Sequence, residues 1–281
     1  MMAGQLVWIF LRRISNFLEF ISKPIHESMV PIPIIPIIHA ARISAIYRSL
    51  RNTAGGKTSF TADLAGFLLM SWGGSIVSCI LLGLPMPQLL SFTPILVYSS
   101  IHLAMPSFKH LPTAKTLDTI LPLLDALIKT STVAAGVDMC RNHEKRIVAE
   151  SLSIQLFIGA ISASGGGILS QTMSVWEPSW RLCRPHFLQE GSILAGTDVW
   201  SGALTAGIYG YLTSSHPFYT RSKPDSSSAY SDLEAKTLAA CFLTLILLWK
   251  AYKTHHVVKN RRPSTEKIHK YLKPNAKPKK D

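Results

Sequence analysis

The chain has 281 residues and a formal charge of +13, yet only 16% of it is charged while 47% is hydrophobic. Soluble domains carry roughly 25% charged residues, so water is the wrong solvent for most of this sequence. The positive charge does not point to nucleic acid either, because eleven of the 29 Lys and Arg residues lie between Lys250 and Lys280 and the remainder nearly balances.

Residues 5–21 place Trp8, Leu11, Ile14, Leu18 and Ile21 on one side at helical spacing, with Arg12, Arg13 and Glu19 elsewhere. That pattern predicts an amphipathic helix lying in a membrane interface. LVWIFL runs straight into two arginines instead of a small-residue cleavage site, so no cleavable signal peptide is expected. From Val30 to Trp249 apolar stretches recur about every thirty residues, each near the roughly 20 residues that span a hydrocarbon core. The first spanning helix is expected over about 30–49, with Pro31, Pro33 and Pro36 near its start, where missing amide hydrogens cost least. Helix two is expected over about 60–83 and helix three over about 88–106. His39, in the first, reads as a hydrogen-bonded packing residue.

Helices four and five are expected over about 117–138 and 147–172, joined by the basic loop RNHEKR. Helix six, about 191–213, carries Gly202, Ala206 and Gly210, small residues at a spacing that lets helices approach closely. Helix seven, about 233–252, has Lys236 and Lys250 near its ends, able to snorkel to headgroups. Asp63, Glu150 and Asp198 stand near helix starts, where a carboxylate meets the favourable end of the dipole, and capping or interface placement is their expected role.

GGSIVS (73–78) matches GGGILS (165–170) at an offset of 92 residues, which signals an internal repeat. Each unit would hold three helices, an odd number, so the second copy enters the membrane upside down. The expected fold is an all-α membrane protein with seven transmembrane helices, two inverted three-helix repeats plus a seventh. Its parts are an interfacial segment at 1–25, repeats at 26–110 and 111–215, a loop and seventh helix at 216–253, and a disordered basic tail at 254–281. The tail's charge places the C-terminus in the cytosol and the N-terminus in the lumen. Its last residues, KPKKD, resemble a lysine-based retrieval signal for the endoplasmic reticulum.

No Gly-x-Ser-x-Gly, P-loop or HExxH motif occurs, and no enzyme is expected. Cys79, Cys140, Cys183 and Cys241 are too widely spaced to suggest a disulfide framework or a metal site. The glycines Gly73, Gly74, Gly165, Gly166 and Gly167 sit inside spanning helices, each costing up to about 1 kcal/mol relative to Ala in water. One cluster alone would suit tight packing; two placed symmetrically favour a kink or break that exposes carbonyls to a water-lined path. Ser75, Ser78 and Ser170 beside them could offer hydroxyls to a partly dehydrated cation, or bond their own backbone. On helix four Asp118, Asp125 and Lys129 share one face. There Lys129 reads equally as a lipid-binding or gating residue and as the partner of Asp125 in an i, i+4 pair.

The stretches SWGGSIVSCILLGLP…FTPILVYSSIHLAMPSF (71–108) and AAGV…SASGGGILSQTMSVWEPSW (134–180) resemble the trimeric intracellular cation channel family in their motifs and order. The resemblance covers about 40–215. It implies a homotrimer of endoplasmic reticulum and nuclear membranes, a pore in each protomer formed by two inverted bundles, and potassium flux that balances charge during calcium release. It also implies contact with membrane lipids, phosphoinositide among them, through a Lys and an Arg one turn apart on helix four. Here Lys129 takes the Arg position while Asp125 falls where the Lys would be. The readings left against the channel are a secondary solute carrier and a non-conducting scaffold.

Overall fold

In the computed structural model, residues 2–26, 30–107, 116, 119–221 and 230–258 are described. These are almost entirely helical. An N-terminal helix, α1 (Met2–Ser22), leads through a small antiparallel hairpin, β1 (Pro24–His26) and β2 (Val30–Pro33), into α2 (Ile34–Ala54). Then follow α3 (Phe60–Leu82), α4 (Thr93–Ala104), α5 (Pro122–Arg141), α6 (Leu152–Met173), α7 (Thr197–Thr213) and α8 (Asp232–Tyr252).

Local chemistry sets these limits. Ser59 and Ser151 accept the amide hydrogens of Ala62 and Ile154, which caps α3 and α6. Ser231 and Glu234 form a reciprocal capping box on α8. Gly83, in the left-handed region at φ 66°, ends α3. Asp63 and Asp198 lie in first turns, at the dipole's favourable end as expected, but their carboxylates pair with side chains of other helices and cap no backbone amide. Glu150 precedes α6 and pairs with Arg146 instead.

Among the described residues two helices, α3 and α6, are long and apolar enough to cross a membrane. The even series of seven apolar spans expected from the sequence is therefore uneven. Helix α4 has only 12 residues, about 18 Å at 1.5 Å per residue. Helix α2 carries Arg42, Arg48 and Arg51, and α5 carries Asp125, Lys129 and Asp138. The N-terminal helix is not merely laid on a surface: Ile14, Leu18 and Ile21 pack against Ala240, Leu243 and Leu247 of α8 and Leu127 of α5.

Helices α3 and α6 meet at their glycines. A Cβ placed on Gly73 would lie 2.8 Å from the Cα of Gly166, and one on Gly165 would lie 2.7 Å from the Cα of Gly74. Only a bare hydrogen fits at such separations. The hydroxyls of Ser78 and Ser162 lie 3.3 Å apart, and Gly66 abuts the carbonyl of Val175. As positions rise along α3 they fall along α6, so the two helices are antiparallel. Adding 92 to Gly73 and Gly74 gives Gly165 and Gly166. The offset thus exchanges the Gly73–Gly166 and Gly74–Gly165 contacts with one another. Neither helix is interrupted there; of the kink or break expected at the glycines, a break is not seen, and the glycines are closely packed.

Helix α7 approaches α6 through the predicted small residues. Gly202 faces Ala160 and Ala163, and Ala206 faces Gly159, again antiparallel. Helix α2 runs parallel to α4, with Ser44 bonded to His102 at 2.7 Å and His39 to Tyr98 at 2.9 Å. Arg51 near the end of α2 pairs with Asp63 at the start of α3, and His102 lies 3.3 Å from the same carboxylate. These contacts place the ends of α2, α4, α6 and α8 at one end of the bundle, together with the starts of α3 and α7.

Candidate functional site

A cavity of about 680 Å³ opens beside the glycine crossing, walled by α2, α3, α5 and α6 and reaching Asp198 on α7 and Lys250 on α8. Of the residues expected from sequence, Gly74, Ser75, Gly166, Gly167, Asp125 and Lys129 line it. Gly167 is the most open of the glycines here, because a Cβ on it would meet nothing within 4 Å. Gly73 and Gly165 instead lie in the helix contact. Ser75 donates to Gln88 Oε1 at 3.2 Å, and Ser78 is fully buried against Ser162. Ser170 bonds the carbonyl of Gly167 at 3.1 Å, within its own helix.

Charged side chains form a continuous chain along one wall. Arg42 lies 3.1 Å from Asp125, and Asp125 lies 3.4 Å from Lys129. Lys129 donates to Asp198 at 2.8 Å, and Asp198 also takes the Lys250 ammonium. Four helices, α2, α5, α7 and α8, are tied together by these contacts. The i, i+4 pair expected on α5 exists, but it is only one link. Three cations against two carboxylates leave one excess positive charge. Isolated ions at this depth would be costly; a shared chain of pairs meets most of that cost while leaving the groups beside open space.

Sequence reasoning misses several members of this chain. Arg42 is the readable one: a cation inside a predicted span faces a partner or a cavity by default. Asp198 reads as a cap and Lys250 as a headgroup anchor, but their pairing is a tertiary contact between residues 52 apart. Tyr98, Trp72 and Gln88, which also line the cavity, carry no motif at all. Asp118 lies outside the described residues, as does the tail from residue 259 onward. Hydroxyls complete the wall: Thr132 on α5 and Ser162 and Ser164 on α6. The arrangement offers water-sized space, hydroxyl-bearing side chains and a band of paired charges. Among the described residues no group of three His, Cys, Asp or Glu side chains could hold a metal ion.

No family model matches the chain. It is similar to the trimeric intracellular cation channel type 1B.2 of Caenorhabditis elegans, 27% identical over 139 residues. The match covers 46% of this chain and 43% of that relative, so it spans less than half the relative's length. A solved trimeric intracellular cation channel from C. elegans, determined in the absence of Ca2+, overlays with a TM-score of 0.49 at 18% identity, covering 86% of this chain and 96% of that one. The resemblance to this channel family, read first from the glycine-bearing stretches, is thus present in a direct sequence match.

Proposed function

We propose that this chain is a membrane cation channel of the trimeric intracellular type, conducting potassium through the cavity beside the glycine crossing. The observation that carries the reading is the crossing itself. Two antiparallel helices touch at glycines that a 92-residue offset exchanges, and a polar, charge-lined cavity runs along their shared flank. An exchange of antiparallel helices is what two inverted repeats, 26–110 and 111–215, produce about an axis lying in the membrane plane.

The reading includes seven spanning segments, α2 to α8, with the C-terminus cytosolic. It includes a homotrimer in the endoplasmic reticulum or nuclear membrane, where potassium flux would balance charge during calcium release. Hydroxyls of Ser75, Thr132 and Ser162 would replace part of the ion's water. Lys129 and Asp125, with Arg42, Asp198 and Lys250, would set the field at one mouth. The excess cation there suits the anionic headgroup of a phosphoinositide, with Arg42 and Lys250 offsetting Asp125.

Purified protein in planar bilayers tests the reading. Discrete unitary currents carried by potassium are expected. Saturable solute uptake without unitary current would make it a carrier, and silence in both assays a scaffold.

A further inference from the structure

A second cavity, of about 440 Å³, lies at the opposite end of the same helices, lined by Ile32 and Pro33 before α2 and by Thr93 and Pro94 opening α4. The large cavity instead reaches Lys250 and Thr254, where α8 finishes. Pro36, Trp72, Pro87, Gln88 and Tyr98 line both cavities. They form the wall between them.

That wall is latched from four segments. Tyr98 on α4 bonds His39 on α2 at 2.9 Å. The Trp72 ring on α3 stands edge-on to Tyr98, with centroids 5.2 Å apart. Gln88, in the turn between α3 and α4, accepts from Ser75 at 3.2 Å. Tyr98 is 8% exposed and Trp72 9%, so the aromatic part of the partition is buried, while Pro36 and Gln88 are half-buried and Pro87 is exposed. Two hydrogen bonds hold it, together with ring contacts of Tyr98 to Trp72, His39 and Phe67, all of them side-chain contacts that rotamer changes can break and remake.

We infer that the two cavities are the two ends of one ion path and that Trp72, Tyr98 and Gln88 form its closed gate. The inference rests on the channel reading above. It adds a location for closure and a latch, the His39–Tyr98 bond, that is separate from the charged mouth. Aromatic and amide side chains there swing on α3, α4 and the intervening turn, while the glycine contact stays fixed.

The test compares wild type, Tyr98→Phe and Trp72→Ala in planar bilayers. Tyr98→Phe keeps the ring and removes the latch; open probability is expected to rise about three- to tenfold, the factor matching one net hydrogen bond. Unitary current should stay as in wild type. Trp72→Ala is expected to raise both. Size-exclusion elution identical to wild type confirms folding, and Tyr98→Phe suffices should Trp72→Ala fail that check. A conducting wild type with open probability unchanged in Tyr98→Phe overturns the gate alone. A silent wild type overturns the channel reading and the gate with it. A second readout uses Thr93→Cys in a Cys183→Ser, Cys241→Ser background. Its modification by a bulky thiol reagent should reduce the current, and full modification without reduction would make the small cavity a side recess and overturn the path.

Discussion

The glycine crossing and the cavity beside it use the same two helices to opposite ends. At the crossing, Gly73 and Gly165 remove side chains so that backbones touch; two residues beyond Gly165, Gly167 removes a side chain so that nothing touches. The first is a packing device, the second makes room. The difference teaches that a glycine cluster in a long apolar helix need not interrupt the helix to make room beside it. It can dock one face and open the adjacent one.

Substitutions should separate the two roles. Gly165→Leu is expected to do the most damage, because a side chain there meets the Cα of Gly74 and an antiparallel backbone cannot step aside. A loss of about 3 kcal/mol or more, at the upper end for overpacking, should appear as failure to fold or a large drop in Tm in detergent. Gly166→Leu belongs with it, since its Cβ would meet the carbonyl oxygen of Met70. Asp198→Asn comes next. It leaves the Lys129 and Lys250 ammonium groups with a weaker acceptor, and about 2 kcal/mol of destabilisation is expected in thermal unfolding, as for lost hydrogen bonds to charged groups.

Gly167→Leu should shift stability by no more than about 1 kcal/mol, because its Cβ enters open space. Its effect should instead fall on unitary current, which is expected to drop severalfold as the leucine occupies the cavity. Equal loss of folding in Gly165→Leu and Gly167→Leu would erase the distinction between wall and contact. Ser170→Ala should do least, within about 0.5 kcal/mol in stability, with current unaltered, since its hydroxyl serves only its own helix.

How far the sequence reveals this arrangement depends on the range of the interaction. The helices α3 and α6 are readable because a predominantly apolar run of more than twenty residues and a Ser cap, with a glycine stop on α3, are local signals. The pairing of their glycines follows from the 92-residue repeat, which reports symmetry without stating geometry. The same glycines suggest a break, because composition cannot tell a missing side chain that bends a helix from one that admits a neighbour. Asp125 and Lys129 are visible as an i, i+4 pair. Arg42, Asp198 and Lys250 sit on three other helices, and only folding brings them to that pair. The start of α2 lies several residues beyond its expected place, because β2 takes Val30–Pro33 into a hairpin that the prolines alone do not announce.

The central claim is that ions pass through the cavity flanking the crossing, and Thr132, exposed on its wall, probes that path directly. In a Cys183→Ser, Cys241→Ser background, Thr132→Cys would be reacted with a bulky positively charged thiol reagent during single-channel recording. Stepwise loss of most of the unitary current is the predicted result; full current after complete modification of the introduced thiol would contradict the account.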